Sequence, residues 1–251
     1  MGSPSKRDEI VQQHFDRNTV RYVELYRDTY LQTCLKRLFP LKDYSSVPQR
    51  PSLLDVGGGG GIFSDVFLLL FPGGTACSLD MSEKMLRSNR QDPRKMLVVA
   101  TAKSIPLRSA AFDLINVDCL MHHMVDSSGY NGTIRGIQEF LNKLRGHLRP
   151  GGMILVREIY HESPILDNFS ARLLFSLSMT ELPQIFCQTL NRVGMHTANA
   201  GVCFLTRSQW KKAVSDCGYN VRSLIVNPWR SVKFKALGFW NSGELHYVLT
   251  A

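Results

Sequence analysis

The sequence predicts an α/β fold with a mostly parallel sheet, on two observations. From Ser52 onward, short apolar segments of strand length alternate with longer segments of helical periodicity, which is typical of parallel sheets covered by helices. The first strand runs directly into five glycines, residues 57–61, and a helix follows them. Backbone without Cβ atoms adopts positive φ easily and lets a ligand approach closely, while the free N–H groups of the helix face that ligand. We therefore expect a nucleoside-like cofactor at this loop.

The other elements follow in order along the chain. Ile10 to Leu38 carries an apolar face at helical spacing, and Pro40 ends this predicted helix. Ser82 is a candidate N-cap of a later helix, because its hydroxyl can accept from a free N–H of the first turn. The predicted strands are Leu53–Val56, Ala76–Leu79, Leu97–Ala100, Leu114–Asp118, Met153–Arg157 and the antiparallel closing pair Val221–Val226 and Glu244–Leu249. The remaining predicted helices are Ile62–Phe71, Glu83–Arg90, Thr133–Leu148, Ile165–Met179, Glu181–Val193 and 206–217.

Composition indicates a folded globular protein. Hydrophobic residues make up 44% and charged residues 20% of the chain, which is ordinary for such domains. No apolar run approaches the ~18 residues of a membrane span, and the N-terminus lacks the hydrophobic core of a signal peptide. The 6 cysteines are scattered without a C-x-x-C pair. We therefore expect buried thiols in a reducing cytoplasm and no metal site.

The net charge of +9 has a large share near the C-terminus. Between Arg207 and Lys235, basic residues outnumber the single acid, Asp216, and aromatic residues are interleaved with them. These aromatic residues are Trp210, Tyr219, Trp229 and Phe234. Such a segment suits an RNA-binding surface or attracts an anionic lipid or substrate. It is equally compatible with a solvated surface whose aromatic side chains point into the core.

The glycine spacing discriminates between nucleoside cofactors. A dinucleotide fingerprint needs G-x-G-x-x-G, and its last position falls here on Ile62 or Phe63. A phosphate-binding P-loop fits less well, because no Gly-Lys-Ser/Thr follows. A different pattern, Asp-x-Gly-x-Gly-x-Gly, is complete in Asp55, Gly57, Gly59 and Gly61. The glycines alone still leave a dinucleotide open, since the two kinds of fold share this opening unit.

The complete pattern resembles the first motif of class I S-adenosylmethionine-dependent methyltransferases, and the later stretches resemble the small-molecule, ubiquinone-biosynthesis-like type. Four further stretches occur in the family's order: Asp80-Met81, residues 100–107, residues 112–115 with His122-His123, and residues 148–156. The resemblance covers residues 50–160 closely. It implies a doubly wound, Rossmann-like α/β fold with an antiparallel last strand, and S-adenosylmethionine as the cofactor.

The resemblance also implies roles for individual residues. Asp80 stands where the family binds the ribose hydroxyls, and Met81 where an apolar side chain packs on adenine. Thr101 stands where the family carries an aspartate, which leaves the contact to the adenine amino group open. The predicted cofactor-binding residues are Asp55, Gly57, Gly59, Gly61, Asp80, Met81, Thr101, Ala102 and Asp118.

The family's layout divides the chain into four parts. Residues 1–50 are expected to form a helical lid, 51–159 the cofactor-binding core, 160–205 a helical cap insertion that walls the substrate pocket, and 206–251 the end of the core. The lid helix has the alternative of a plain packing face. The predicted substrate-binding residues are Tyr22 and Tyr26, on one stripe of that helix, with Tyr160 and His161 at the start of the cap.

Methyl transfer from a sulfonium is an in-line displacement, so the protein mainly positions the acceptor and excludes water, and no metal is required. An oxygen or carbon acceptor must also lose a proton to a base. Ligands in this fold bind at the carboxyl ends of the strands, where His122, His123 and Glu158 are the predicted catalytic residues. Each has a structural alternative, as a helix-entry or backbone-binding side chain.

We therefore expect a cytoplasmic methyltransferase that acts on a small apolar or aromatic acceptor, with O-methylation first and N- or C-methylation open. Two alternatives remain. An RNA methyltransferase would use the basic C-terminal segment. A non-catalytic cofactor-binding protein would keep the fold without the chemistry, and Thr101 in place of the family's acid leaves room for it. The sequence leaves the oligomeric state open.

Overall fold

The computed structural model describes residues 6–20, 24, 27–43, 45, 47–162, 168–180, 201–229 and 241–251. Two helices precede the sheet, α1 (Lys6–Arg17) and α2 (Arg27–Leu38), and a 3-10 segment, Phe39–Asp43, follows them. The single helix predicted over residues 10–38 is interrupted by a turn at Asn18. There the Asn18 N–H donates to both the His14 and Phe15 carbonyls, and the Thr19 hydroxyl also donates to the Phe15 carbonyl, at 3.1 Å.

Seven strands in the described part of the chain form one sheet, in the order β3-β2-β1-β4-β5-β7-β6. Strands β1 to β5 are parallel to one another, and β7 is antiparallel to both β5 and β6. The predicted mostly parallel sheet with an antiparallel last strand is confirmed. The strands are β1 (Ser52–Val56), β2 (Thr75–Asp80), β3 (Lys95–Val99), β4 (Phe112–Asp118), β5 (Leu148–Glu162), β6 (Asn220–Pro228) and β7 (Asn241–Thr250).

Strand β5 is much longer than the predicted Met153–Arg157. It continues to Glu162 because β7 pairs with it as far as the Glu162–Asn241 position. The helix predicted over 181–193 lies outside the described residues. The helices after α2 are α3 (Ile62–Leu70), α4 (Glu83–Arg87), α5 (Tyr130–His147), α6 (Phe169–Met179) and α7 (Arg207–Asp216).

Two helix starts are fixed by side-chain caps. Ser82 accepts a hydrogen bond from the Met85 N–H at 3.0 Å, which confirms it as the N-cap of α4. At α7, Thr206 and Gln209 form a reciprocal capping box. These caps fix the first residues of α4 and α7.

The core lies on both faces of the sheet, because successive residues of a strand point to opposite sides. Leu54 and Ile115 pack on the face covered by α5, whereas Leu53 and Leu114 pack with Phe67 of α3 on the other. All five side chains are buried. With both faces covered, the carboxyl-end edge of the sheet is the place where a ligand can reach the strands.

Candidate active site

A cavity of about 530 Å³ lies at the carboxyl ends of β1, β2, β4 and β5. Helices α1 and α2 close it on one side through Asp8, Val11, Phe15, Thr29, Tyr30 and Thr33. Most predicted site residues line this cavity, namely Gly57, Gly59, Gly61, Asp80, Met81, Thr101, Ala102, Asp118, His122 and His123. Asp55, Glu158, Tyr160 and His161 do not line it. Tyr22 and Tyr26 lie outside the described residues.

The glycine loop needs its glycines. Gly57, Gly59 and Gly61 have φ angles of 72°, 50° and 76°, a region that side chains rarely adopt. A Cβ atom at Gly61 would lie 1.7 Å from the Asn89 Oδ1 atom. The N–H of Gly57 donates to the Leu79 carbonyl at 2.7 Å and ties the loop to the end of β2. The loop therefore presents main chain, without side chains, to the cavity.

Asp80 connects the end of β2 to this loop. Its Oδ2 atom accepts from the Gly59 N–H at 3.0 Å, and Oδ1 accepts from the Ser82 N–H at 2.8 Å. Burial raises the pKa of Asp80, and these backbone hydrogen bonds oppose the rise. The carboxylate thus has a fixed orientation in the cavity wall, as a group that binds a ligand's hydroxyls requires.

Asp55 has a different position from the one the sequence suggested. Its side chain is buried beneath the loop, where it accepts hydrogen bonds from Ser64 Oγ at 2.9 Å and Asn116 Nδ2 at 2.7 Å. Burial raises its pKa to about 6. A Cβ atom at Gly58 would lie 2.9 Å from Asp55 Oδ2. We therefore correct the expected ligand contact: Asp55 supports the loop from below.

Asp118 is the centre of a buried ionic network at the floor of the cavity. Its two oxygens pair with Arg37 at 2.6 Å and with Arg157 at 2.6 Å, and the Tyr30 hydroxyl donates to it at 2.8 Å. Burial alone would raise the pKa of Asp118, but the two guanidinium groups outweigh it and lower the pKa. Arg157 also pairs with Glu244 of β7 at 3.1 Å. The network joins α2 to three strands.

Sequence reasoning missed the partners of this network. Arg157 ends the predicted fifth strand, so the rule that ligands bind at strand ends would have found it. Arg37 lies on a helix. Glu244 lies in a strand that the sequence paired with Val221–Val226 but not with the fifth strand, which carries Arg157. No local signal marks Arg37 as the partner of Asp118, or Glu244 as a cavity residue.

His122 and Glu158 form a dyad at the cavity wall. The carboxylate of Glu158 is fully buried, and its Oε2 atom lies 2.8 Å from His122 Nδ1. Its Oε1 atom accepts from the Met121 N–H at 2.5 Å. Among the described residues, none hydrogen-bonds to Nε2 of His122, the nitrogen left for the cavity. The Glu158 carboxylate therefore contacts His122 and does not itself line the cavity, which corrects its prediction as a direct base.

His123 lines the same cavity but differs from His122 in its hydrogen bonding and electrostatic environment. Its ring hydrogen-bonds to the main chain of Gly201, and its Nδ1 atom is buried without a hydrogen-bond partner in the described part of the chain. Burial lowers the pKa of His123 well below its usual value, and the neighbouring His122 adds to the effect. Burial therefore favours the neutral imidazole of His123.

Tyr160 and His161 are buried away from the cavity, which corrects their assignment to substrate. Because β5 continues past the cavity, it carries both residues into the sheet's interior packing. The Tyr160 ring lies under the Arg207 guanidinium, at 5.3 Å. His161 bonds to Ser242 Oγ at 2.7 Å and to Ser170 Oγ at 2.8 Å. These contacts link β5 to β7 and α6.

Part of the basic C-terminal segment is described. Trp210 and Tyr219 are buried, with exposed fractions of 1% and 6%, so neither ring offers a face for stacking on bases. Arg207 pairs with Glu162 at 2.7 Å, and Lys212 pairs with Asp216 at 3.0 Å. Arg230, Lys233, Phe234 and Lys235 lie outside the described residues.

None of the helices in the described ranges is long and apolar enough to cross a membrane. Within those ranges, no three His, Cys, Asp or Glu side chains are arranged to hold a metal ion together. The described cysteines are free thiols: Cys34, Cys77, Cys119, Cys203 and Cys217.

The sheet order and the cavity at its carboxyl-end edge match the architecture of class I methyltransferases, and comparison with known proteins supports this fold class. Residues 54–156 match a protein family described as a methyltransferase domain. A solved S-adenosylmethionine-dependent methyltransferase from Leishmania major shares the fold, with a TM-score of 0.62 and 13% identity. The alignment covers 96% of this chain and 81% of that one.

Two curated proteins are similar to part of the chain. A ubiquinone/menaquinone biosynthesis C-methyltransferase from Cereibacter sphaeroides is 36% identical over 113 residues, 42% of this chain and 41% of that protein. A protein of the same name from Pasteurella multocida is 30% identical over 151 residues, 57% of this chain and 52% of the relative. The chain spans about half the length of these relatives. The family match covers residues 54–156, and the solved structure shares the fold, so the chain has a class I methyltransferase fold and resembles these relatives in that part.

Proposed function

We propose that the protein transfers a methyl group from S-adenosylmethionine to a small apolar or aromatic acceptor, with His122 as the base. The observation that carries the proposal is the contact of 2.8 Å between His122 Nδ1 and the buried Glu158 carboxylate. His122 lines the same cavity as the glycine loop and Asp80. A braced base and a nucleoside-binding loop at one cavity are the two parts that such a reaction needs.

The residues at one end of the cavity fit the cofactor. The glycines expose main chain that side chains would otherwise cover. Asp80 offers a fixed carboxylate to the ribose hydroxyls, and Met81 and Met85 offer apolar surface to the adenine ring. S-adenosylmethionine, when bound, supplies a methyl group already activated by its sulfonium. What the protein adds is placement of the acceptor, exclusion of water and removal of a proton.

The dyad explains how His122 removes that proton. Glu158 accepts from the protonated Nδ1 atom, which fixes the tautomer and leaves the Nε2 lone pair for the acceptor's proton. The same carboxylate stabilises the imidazolium that forms. Proton transfer by a positioned side chain contributes about 10²–10⁴-fold to the rate. His123, held neutral by burial, lines the cavity beside His122.

The lining around the dyad supports a small acceptor with apolar character. Leu120, Met124, Ile159 and Phe15 line the same cavity as the two histidines, and the Phe15 ring lies 5.4 Å from that of His123. Deprotonation of an aromatic hydroxyl spreads negative charge onto neighbouring carbons, so either oxygen or carbon can accept the methyl group. The names of the relatives favour carbon, and carbon replaces oxygen as our first proposal.

The N-terminal helix supports the proposed lid. Val11 and Phe15 of α1 cover the cavity, and Asp16 anchors the helix to α4 through the Ser82 hydroxyl and the Lys84 ammonium group. A closed helix would keep water from the sulfonium and from the acceptor anion. The cap proposed for residues 160–205 rests on less, since α6 is its main described element.

The cofactor is tested first. Calorimetric titration of S-adenosylhomocysteine, with NADH as competitor, is expected to show binding that NADH does not displace and that Asp80→Ala weakens. Binding of NADH in place of the sulfur nucleoside would overturn the proposal.

The chemistry is tested with wild type, His122→Gln and Glu158→Gln on a panel of phenols, hydroquinones and RNA. Both variants are expected to lower kcat by about 10²–10⁴-fold while keeping their affinity for S-adenosylhomocysteine. His147→Gln, at the end of α5 and outside the cavity, is the matched control. Variants as fast as wild type, or methylation of RNA alone, would contradict the assignment. The position of an isotopically labelled methyl group in the product distinguishes carbon from oxygen.

A further inference from the structure

One position of the cofactor-binding pattern lacks the group that the family places there. Thr101 replaces the aspartate expected to accept a hydrogen bond from the adenine amino group. Its hydroxyl accepts from the Lys103 N–H at 3.3 Å, within its own loop. Residues 101–103 nevertheless line the cavity. The carboxylate that this end of the cavity would need is therefore absent from the loop itself.

We propose that Asp8 of α1 supplies that carboxylate from the opposite wall. The inference rests on the proposed function, because it assumes the adenosine part of the cofactor at this end. Asp8 lines the cavity together with Thr101, Ala102 and Lys103. Its Oδ1 atom lies 2.7 Å from the Lys103 Nζ atom, and only 15% of its side chain is exposed. The lysine thus holds the acid of α1 against the loop from which the family's acid is missing.

The rest of α1 keeps Asp8 in this place. Two turns further along, the Asp16 carbonyl accepts from Lys84 Nζ at 2.8 Å, and its carboxylate accepts from the Ser82 hydroxyl. Ser82 also donates its N–H to Asp80, the proposed ribose ligand. The helix is therefore anchored at both ends to the segments that surround the adenosine site. Recognition of adenine becomes linked to closure of α1 over the cavity.

A carboxylate at this position discriminates between purines. The 6-amino group of adenine donates a hydrogen bond to it, whereas the 6-oxo group of a deaminated purine presents an acceptor and is repelled. A hydrogen bond to a charged group typically changes affinity by about tenfold or more. A contact that only held α1 in place would affect both purines equally.

The test compares S-adenosylhomocysteine with its deaminated analogue, S-inosylhomocysteine, by calorimetry. Wild type is expected to prefer the adenosine compound by about tenfold or more. Asp8→Ala is expected to remove most of this preference, and Asp8→Asn to shift it toward the inosine compound, because an amide can donate to the 6-oxo group. Glu9→Ala is the matched control, since Glu9 is an exposed acid on the same helix.

A second variant makes the test independent of α1. Thr101→Asp restores the family's acid, and in the Asp8→Ala background it is expected to recover the preference for adenosine. Equal weakening of both nucleosides in Asp8→Ala, or an unchanged preference, would overturn the inference while leaving the cofactor assignment intact. Absence of binding of either sulfur nucleoside to wild type would overturn the proposed function as well.

Discussion

His161 gives a prediction whose size follows directly from its surroundings. The imidazole is 1% exposed and bonds to Ser242 and Ser170, and burial lowers its pKa to about 4. In the unfolded chain its pKa returns to about 6.5. Between these two values the unfolded state binds more protons than the folded state, so the free energy of unfolding falls as the pH falls. The free energy of unfolding falls by about 1.4 kcal/mol per pH unit, but only below the unfolded pKa of about 6.5. The total loss between pH 7 and pH 5 is therefore about 2 kcal/mol.

The perturbation is His161→Gln, which keeps a donor and an acceptor for the two serines but does not titrate. Urea unfolding of wild type and variant at about pH 7, 6 and 5 isolates this residue, because every other titrating group is common to both proteins. Wild type is expected to lose about 2 kcal/mol more than the variant between pH 7 and pH 5. Parallel losses in the two proteins would refute the reasoning. They would show that folding does not lower the pKa of His161, as expected for an exposed residue that binds substrate.

Three further predictions follow from single contacts. Gly61→Ala forces a Cβ into the left-handed region and against Asn89, so we expect unfolding to become easier by about 2–4 kcal/mol in urea titrations, with weaker binding of S-adenosylhomocysteine; unchanged stability would contradict the loop geometry. Asp118→Ala leaves Arg157 buried without this carboxylate, and the free energy of unfolding should fall by about 3–5 kcal/mol, whereas a loss below about 1 kcal/mol would indicate solvent access. Thr206→Ala removes the capping box and should cost about 1 kcal/mol in thermal unfolding, without any change in nucleoside affinity.

Much of the fold could be predicted because its signals are local. Short apolar strands alternating with helical segments predicted a mostly parallel sheet, and each predicted strand is present. Gly57, Gly59 and Gly61 were recognisable because positive φ is a property of the residue itself. Boundaries were less predictable: β5 extends to Glu162 because of its pairing with β7, a partner distant in sequence.

Site residues could be predicted where their position at the end of a strand is enough to place them at the cavity. Asp80, His122 and His123 follow strand ends, and all three line the cavity. Depth from the surface was not predictable, because it depends on what packs above a residue. Glu158 also follows the cavity edge of β5, yet it is fully buried and reaches the cavity only through His122.

The sequence by itself determined the fold class, the glycine loop and the acid that follows the second strand, since each depends on residue type and on near neighbours in the chain. The tertiary structure alone decided the partners. Arg37 meets Asp118 across 81 residues, and Asp8 meets Lys103 across 95. Such pairs depend on the order of strands in the sheet and on where α1 and α2 cross its edge. Charge and hydrogen bonding act through space, so the chain carries no local mark of them.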